Sequence, residues 1–296
     1  MIQRLLFALL LLSACAQSLH AQIQVDLKIS RRLFVVYEPI VATVTITNRS
    51  GRDVPLADAD SQHWFGFEIV RASGEIIGPI NPNYELDPLV IPAGETVKRS
   101  VNLNALFPVH DFGINRIRAN VYFAPMQKYF VSRQVNIEIT DGTVIWRQTV
   151  GVPDGEKGAG GTRNLSLLKF RQGDKCTLYV RVEDANDGTI YCTIPLGAYI
   201  EDSKPQVQID FNNRLHLLQF IGPKTWAYTR IGTNGEWLGQ DIYTSAKNRP
   251  TLHRDSTAEI SVKGGELQAP RENGATPAPG LPIPKLSDRP ADLPKD

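Results

Sequence analysis

The feature that most constrains this chain is its hydrophobic period. Apolar residues recur at every second position in short runs, and no 3.6-residue pattern persists beyond about ten residues. The runs are rich in Val, Ile, Thr, Tyr and Phe, and Gly, Pro, Asn and Asp separate them. A chain patterned in this way cannot bury a helical stripe; it must build sheets and pack them. The expected class is all-β. With 296 residues, about two domains are expected. Lys plus Arg is 32 and Asp plus Glu is 31, a net charge of +1. That balance speaks against a nucleic-acid partner, which calls for a basic field.

Met1 to Ala21 reads as a signal peptide: Arg4, then the apolar core Leu5 to Leu12, then small residues. The core is too short to span a bilayer, and no later run reaches about 18 apolar residues. Cleavage fits before Gln17 or before Gln22. Leu12-Ser13-Ala14-Cys15 also resembles the bacterial lipobox, which implies lipidation of Cys15 and a lipid anchor as the sole membrane attachment. The expected location is secreted or periplasmic, with an outer-membrane lipoprotein as the variant reading.

Residues 22–141 form the first unit, with about seven strands and turn spacing suited to a sandwich. Ile40 to Thr47, Phe65 to Val70, Val97 to Leu103, Ile114 to Phe123 and Tyr129 to Ile139 are its clearest strands. The stretch YEPIVATVTITNRSG…IVRASGEI…IPAGETVKRSVNL…GINRIRANVYF resembles Ig-like domains of bacterial secreted proteins, including the proteinase-inhibitor type. The resemblance implies a β-sandwich and carries no activity with it. His63-Trp64 follows the polar loop Ala57 to Gln62. It reads as a partner-anchoring loop, or as a plug for the end of the sandwich.

Residues 142–266 read as an antiparallel β-meander. Val144 to Val150 is followed by a loop, Pro153 to Gly161, with four glycines in nine residues. That loop lacks the Gly-Lys-Ser/Thr ending of a phosphate cradle and precedes no helix. Turns centred near 187, 212 and 234 recur every 22–25 residues, so they should gather at one end of the sheet. VQIDFNNRLHLLQFIGPKTWAYTRIGTNG resembles a blade repeat of sialidase-type β-propellers through Asp210, Asn213, Leu215-His216 and Tyr228. Four blades of about 40 residues do not fit in this length. The resemblance therefore implies a partial propeller, an open meander or a sandwich. Residues 267–296 carry seven of the twenty prolines, no aromatic residue, and four charges of each sign. They read as a disordered tail.

No metal or cofactor site is expected. His63, His110, His216 and His253 have no ligand spacing, and no HExxH, CxxC, GxSxG or dinucleotide pattern is present. Asp184 to Gly188 lacks EF-hand spacing and reads as a turn of residues that tolerate left-handed backbone. His216, Trp226, Tyr228 and Trp237 are the candidate ligand-binding residues, because aromatics on an open sheet face bind sugars or peptides. The same aromatics on a covered face are core. Cys176 and Cys192 are expected to be free. If Glu183 opposes Thr189, the two thiols lie four rungs apart, about 13 Å, beyond the roughly 7 Å limit of a disulfide. The functional expectation is an exported, non-enzymatic binding or structural protein whose partner is a protein or a glycan. The alternatives are a carbohydrate-binding accessory and an extracytoplasmic protease inhibitor.

Overall fold

A computed structural model describes residues 23–268 apart from Asp60, Asn83, Glu85 and Ala246. The expected signal peptide, with Cys15, and nearly all of the proline-rich tail fall outside the described residues. The fold is all-β. Strands over 23–140 pair only with one another, as do strands over 143–267.

In the first unit, β1 (Ile23–Ile29) and β3 (Val41–Asn48) join β7 (Thr96–Asn102) in an antiparallel sheet of order β1-β3-β7. A facing sheet has the order β2-β10-β8-β5, built from β2 (Leu33–Val35), β5 (Phe65–Arg71), β8 (Gly113–Phe123) and β10 (Val135–Thr140). The short strands β4 (Val54–Leu56) and β6 (Leu89–Ile91) pair beside them. Alternation decides which side chains face inward. Ala42, Val44 and Ile46 meet Ile69, Ile117, Ala119 and Ile137 in one core. Each of the valine and isoleucine side chains, fully buried, contributes about 1.5–3 kcal/mol.

The expected strand Tyr129 to Ile139 is divided. Its first part, β9 (Lys128–Val131), pairs with β8, and β10 continues along the same edge of β8 one residue out of register. Buried Ser132 holds this bulge: its hydroxyl accepts the Ala119 N–H (2.9 Å) and donates to the Arg133 carbonyl (2.9 Å).

The second unit is two meanders in sequence order. The first holds β11 (Thr143–Gly151), β12 (Thr162–Gln172), β13 (Lys175–Asp184) and β14 (Ile190–Ala198). The second holds β15 (Gln206–Ile209), β16 (Leu215–Gly222), β17 (Thr225–Ile231) and β18 (Trp237–Thr244). Leu165, Leu167, Val180 and Ile194 pack on Leu215, Leu217 and Ile231 between them. A hairpin of β19 (Thr251–Arg254) and β20 (Ile260–Lys263) covers the far face of the second meander. It is anchored through side chains: Gln206 Oε1 accepts the Leu252 N–H (2.9 Å), and Arg254 donates to the Ile209 carbonyl. Finally, β21 (Glu266–Leu267) pairs with the end of β18.

The glycine-rich loop has a packing role. Arg163 is buried, donates to Asp184 (2.9 Å) and Asn234 (3.2 Å), and lies 4.5 Å over the Tyr191 ring. Gly158, at φ +85°, closes over it; a Cβ there would stand 2.4 Å from the guanidinium. Arg163 thus ties the turn after β13 to the turn after β17.

Cys176 and Cys192 are free, and their register differs from the expected one. Thr189 opposes Asp184 rather than Glu183, through an Asp184 N–H bond of 2.8 Å, and a bulge follows at Tyr191. Cys192 therefore faces Val182, six rungs along β13 from Cys176, about 20 Å at 3.3 Å per rung. Burial pushes the Cys192 thiol up to about 12.

The units meet where Val35 packs on Leu168 and Tyr179. Beside that contact the fully buried Glu38 pairs with Arg31, which also donates to the Tyr179 hydroxyl (3.0 Å). Arg181 reaches back to Asp141 (2.6 Å).

Candidate functional site: a polar cleft between two like turns

Three hairpin turns of the second unit share one geometry. Residues 210–214, 232–236 and 255–259 are each closed by an N–H of the first residue bonding the carbonyl of the fifth (3.1, 2.8 and 3.0 Å). The fourth residue is left-handed in each: Asn213 at φ 60°, Gly235 at φ 90° and Ala258 at φ 63°. In two of them the leading aspartate holds the turn. Asp210 Oδ1 accepts the N–H groups of Asn212 (2.9 Å) and Arg214 (2.8 Å); Asp255 Oδ1 accepts those of Thr257 and Glu259 (both 2.9 Å). The turn at 184–189 is one residue longer, yet Arg163 joins it to Asn234, and the expected series 187, 212, 234 runs on through 257.

Between the first and last of these turns lies a cleft of about 780 Å³. Its floor comes from the alternation of β16 and β17. His216, Leu218 and Phe220 lie opposite Arg230, Tyr228 and Trp226 on the face turned away from the other meander. A hydrogen-bonded chain runs along the floor. His216 Nε2 stands 3.2 Å from Asp210 Oδ2, and His216 Nδ1 stands 2.7 Å from the Tyr228 hydroxyl. That hydroxyl is 3.4 Å from the Ile260 carbonyl on the covering hairpin. Burial holds His216 below its ordinary value and pushes the Tyr228 phenol up to about 12. The carboxylate can only accept, so the neutral ring donates from Nε2 to Asp210 and accepts the phenolic proton at Nδ1. The chain is saturated; it offers fixed polar groups rather than an activated nucleophile.

The rim differs in character. Phe211 is 68% exposed and Leu238 43%. Arg230 is paired with Asp241 (3.1 Å). Arg214 and Glu259, the fifth residues of their turns, flank the opening, and the described residues include no ion-pair or hydrogen-bond partner for either charged group.

The candidate residues divide accordingly. His216 and Tyr228 line the cleft. Trp226 does not: it is 8% exposed, packed with Phe220, Tyr243 and Val262 beneath the β19–β20 hairpin. Trp237 packs against the core between the meanders. An open aromatic platform of Trp226, Tyr228 and Trp237 is thus absent among the described residues: the β19–β20 hairpin covers Trp226 and Tyr228, and Trp237 turns to the core between the meanders. In the first unit Trp64 is fully buried, donating Nε1–H to the Asp87 carbonyl (3.1 Å) with Arg99 5.0 Å above its ring. It is a plug rather than an exposed anchor. His63 stays accessible, braced by Asp58 (2.8 Å) and stacked on Tyr84 at 4.0 Å.

Phe211, Arg214, Thr257 and Glu259 were not among the candidates. The signal for them was present as the spacing Asp-Phe-Asn-Asn-Arg and Asp-Ser-Thr-Ala-Glu across two turns. No group of three or more His, Cys, Asp or Glu side chains among the described residues is placed to hold a metal. None of the described helices is long and apolar enough to cross a membrane. No family model matches the sequence, and no curated protein or solved structure shows significant similarity to it.

Proposed function

We propose that this chain is an exported, non-enzymatic binding protein whose recognition site is the cleft of the second unit. The observation that carries this reading is the cleft itself. Its volume lies in the usual range for small-ligand sites, its polar groups converge, and an exposed aromatic residue stands at its mouth. The Asp210–His216–Tyr228 chain supports binding over catalysis, since a phenol near 12 stays protonated and the imidazole is engaged at both nitrogens. The leader pattern of Met1 to Ala21 supports export. A glycan reading through Trp226 and Trp237 loses its open surface, and an inhibitor reading through Trp64 loses its anchor.

The test is ligand-induced thermal stabilisation. A ligand that binds only the folded chain stabilises it by about 2.7 kcal/mol at a hundredfold excess over Kd. A panel of short peptides and neutral oligosaccharides should contain a stabilising member. Leu238→Trp, which places an indole at the mouth, should abolish that stabilisation while leaving the unliganded Tm unchanged. Stabilisation that survives Leu238→Trp puts the site elsewhere, and a silent panel counts against binding in the cleft.

A further inference from the structure

The cleft carries more than shape. Of the charged groups around it, Asp210 is engaged by His216 and two backbone N–H groups, and Arg230 by Asp241. Arg214 and Glu259 remain, one of each sign, at equivalent positions of two like turns that both line the cleft. They form no ion pair with each other. We propose that the cleft recognises a dipolar ligand, a short peptide with free termini, whose carboxylate meets Arg214 and whose ammonium meets Glu259. This proposal rests on the reading of the cleft as the recognition site.

Electrostatics chooses among ligand classes. A neutral sugar seated here would offer hydroxyls but no counter-charge to either group. A simple anion would satisfy Arg214 and face Glu259; a simple cation would do the reverse. Only a ligand with both signs complements the pair. A guanidinium is also the natural partner of a terminal carboxylate, which it can bind through two parallel N–H bonds. The cleft, at about 780 Å³, is roomy enough for more than one residue, and exposed Phe211 and Leu238 give an apolar side chain a surface to cover.

Calorimetric titration of the purified chain tests this, with the tripeptide Ala-Phe-Ala as the probe. Its N-acetylated, C-amidated form and chitotetraose are the comparators. The free tripeptide should bind, and blocking both ends should weaken binding about tenfold or more, the range for a hydrogen bond to a charged group. Arg214→Glu should abolish binding. The exchanged pair Arg214→Glu with Glu259→Arg should restore it, because the dipole can turn round. Both positions are solvent-exposed, so folding of the variants is checked by their unchanged Tm. Equal affinity for free and blocked tripeptides overturns the dipolar assignment. Binding of chitotetraose alone, lost in Leu238→Trp, overturns it while the cleft stands as the site. Tripeptide binding that survives Leu238→Trp overturns both readings.

Discussion

Replacing Tyr228 by Phe removes one oxygen from the centre of the second unit. His216 is 7% exposed, and its Nδ1 takes the phenolic proton across 2.7 Å. Without that proton, Nδ1 is a buried acceptor with no partner, which costs about 1–3 kcal/mol. For a folded region of this size the cost corresponds to a Tm lower by about 2–4 °C per kcal/mol. The pH dependence gives a second readout. His216 titrates below its ordinary value of 6.5 in the folded chain, because burial disfavours its charged form. Between that lowered pKa and 6.5 the unfolded chain holds more protons than the folded one. The stabilisation is therefore complete above about 6.5 and is lost as pH falls toward the folded pKa. In Tyr228→Phe the bond favouring the neutral ring is gone, so His216 should titrate closer to 6.5 and the acid-side loss should shrink. Urea unfolding of both chains at pH 7.5 and 5.5, with the His216 ring followed by NMR, measures both effects. A variant within about 0.5 kcal/mol of the parent, with His216 titrating as before, would refute the reasoning.

Other perturbations probe separate parts of the structure. Gly158→Ala should cost about 1–2 kcal/mol for the left-handed backbone alone, with more from the clash with Arg163, as read by chemical denaturation. Trp226→Ala should cost about 3–5 kcal/mol as a buried aromatic truncation; a surface residue would give almost nothing, so the same experiment measures whether the β19–β20 hairpin covers it. Intact-mass measurement after alkylation under denaturing conditions without reductant should find Cys176 and Cys192 both modified. In the native state Cys192 should react far more slowly than a free thiol at pH 8, since its thiolate is scarce when the thiol titrates near 12.

Local patterns in the sequence translate well into this fold. The runs at 41–48, 65–71 and 113–123 are strands because period-two alternation has one physical outcome when one face is buried. Turn chemistry is equally local, and Asn213 and Gly235 occupy the left-handed positions their residue types favour. The failures are contacts between distant segments. Whether Trp226 is a platform or core depends on residues 251–263, which have no link to it in local sequence. The cysteine register needed a turn length and a bulge that alternation cannot specify. Asp210, His216 and Tyr228 were visible as a constellation within one hairpin pair. Their partner turn at 255–259 was not, because its cleft contribution exists only after the hairpin folds over the sheet.

The most direct measurement is amide chemical-shift mapping on the isotopically labelled chain as Ala-Phe-Ala is added. Shifts should concentrate at Asn212, Arg214, Thr257 and Glu259, with the His216 and Tyr228 signals following. Shifts concentrated instead around His63 and Tyr84 of the first unit, with residues 210–216 and 255–260 unmoved, would contradict the cleft as the recognition site.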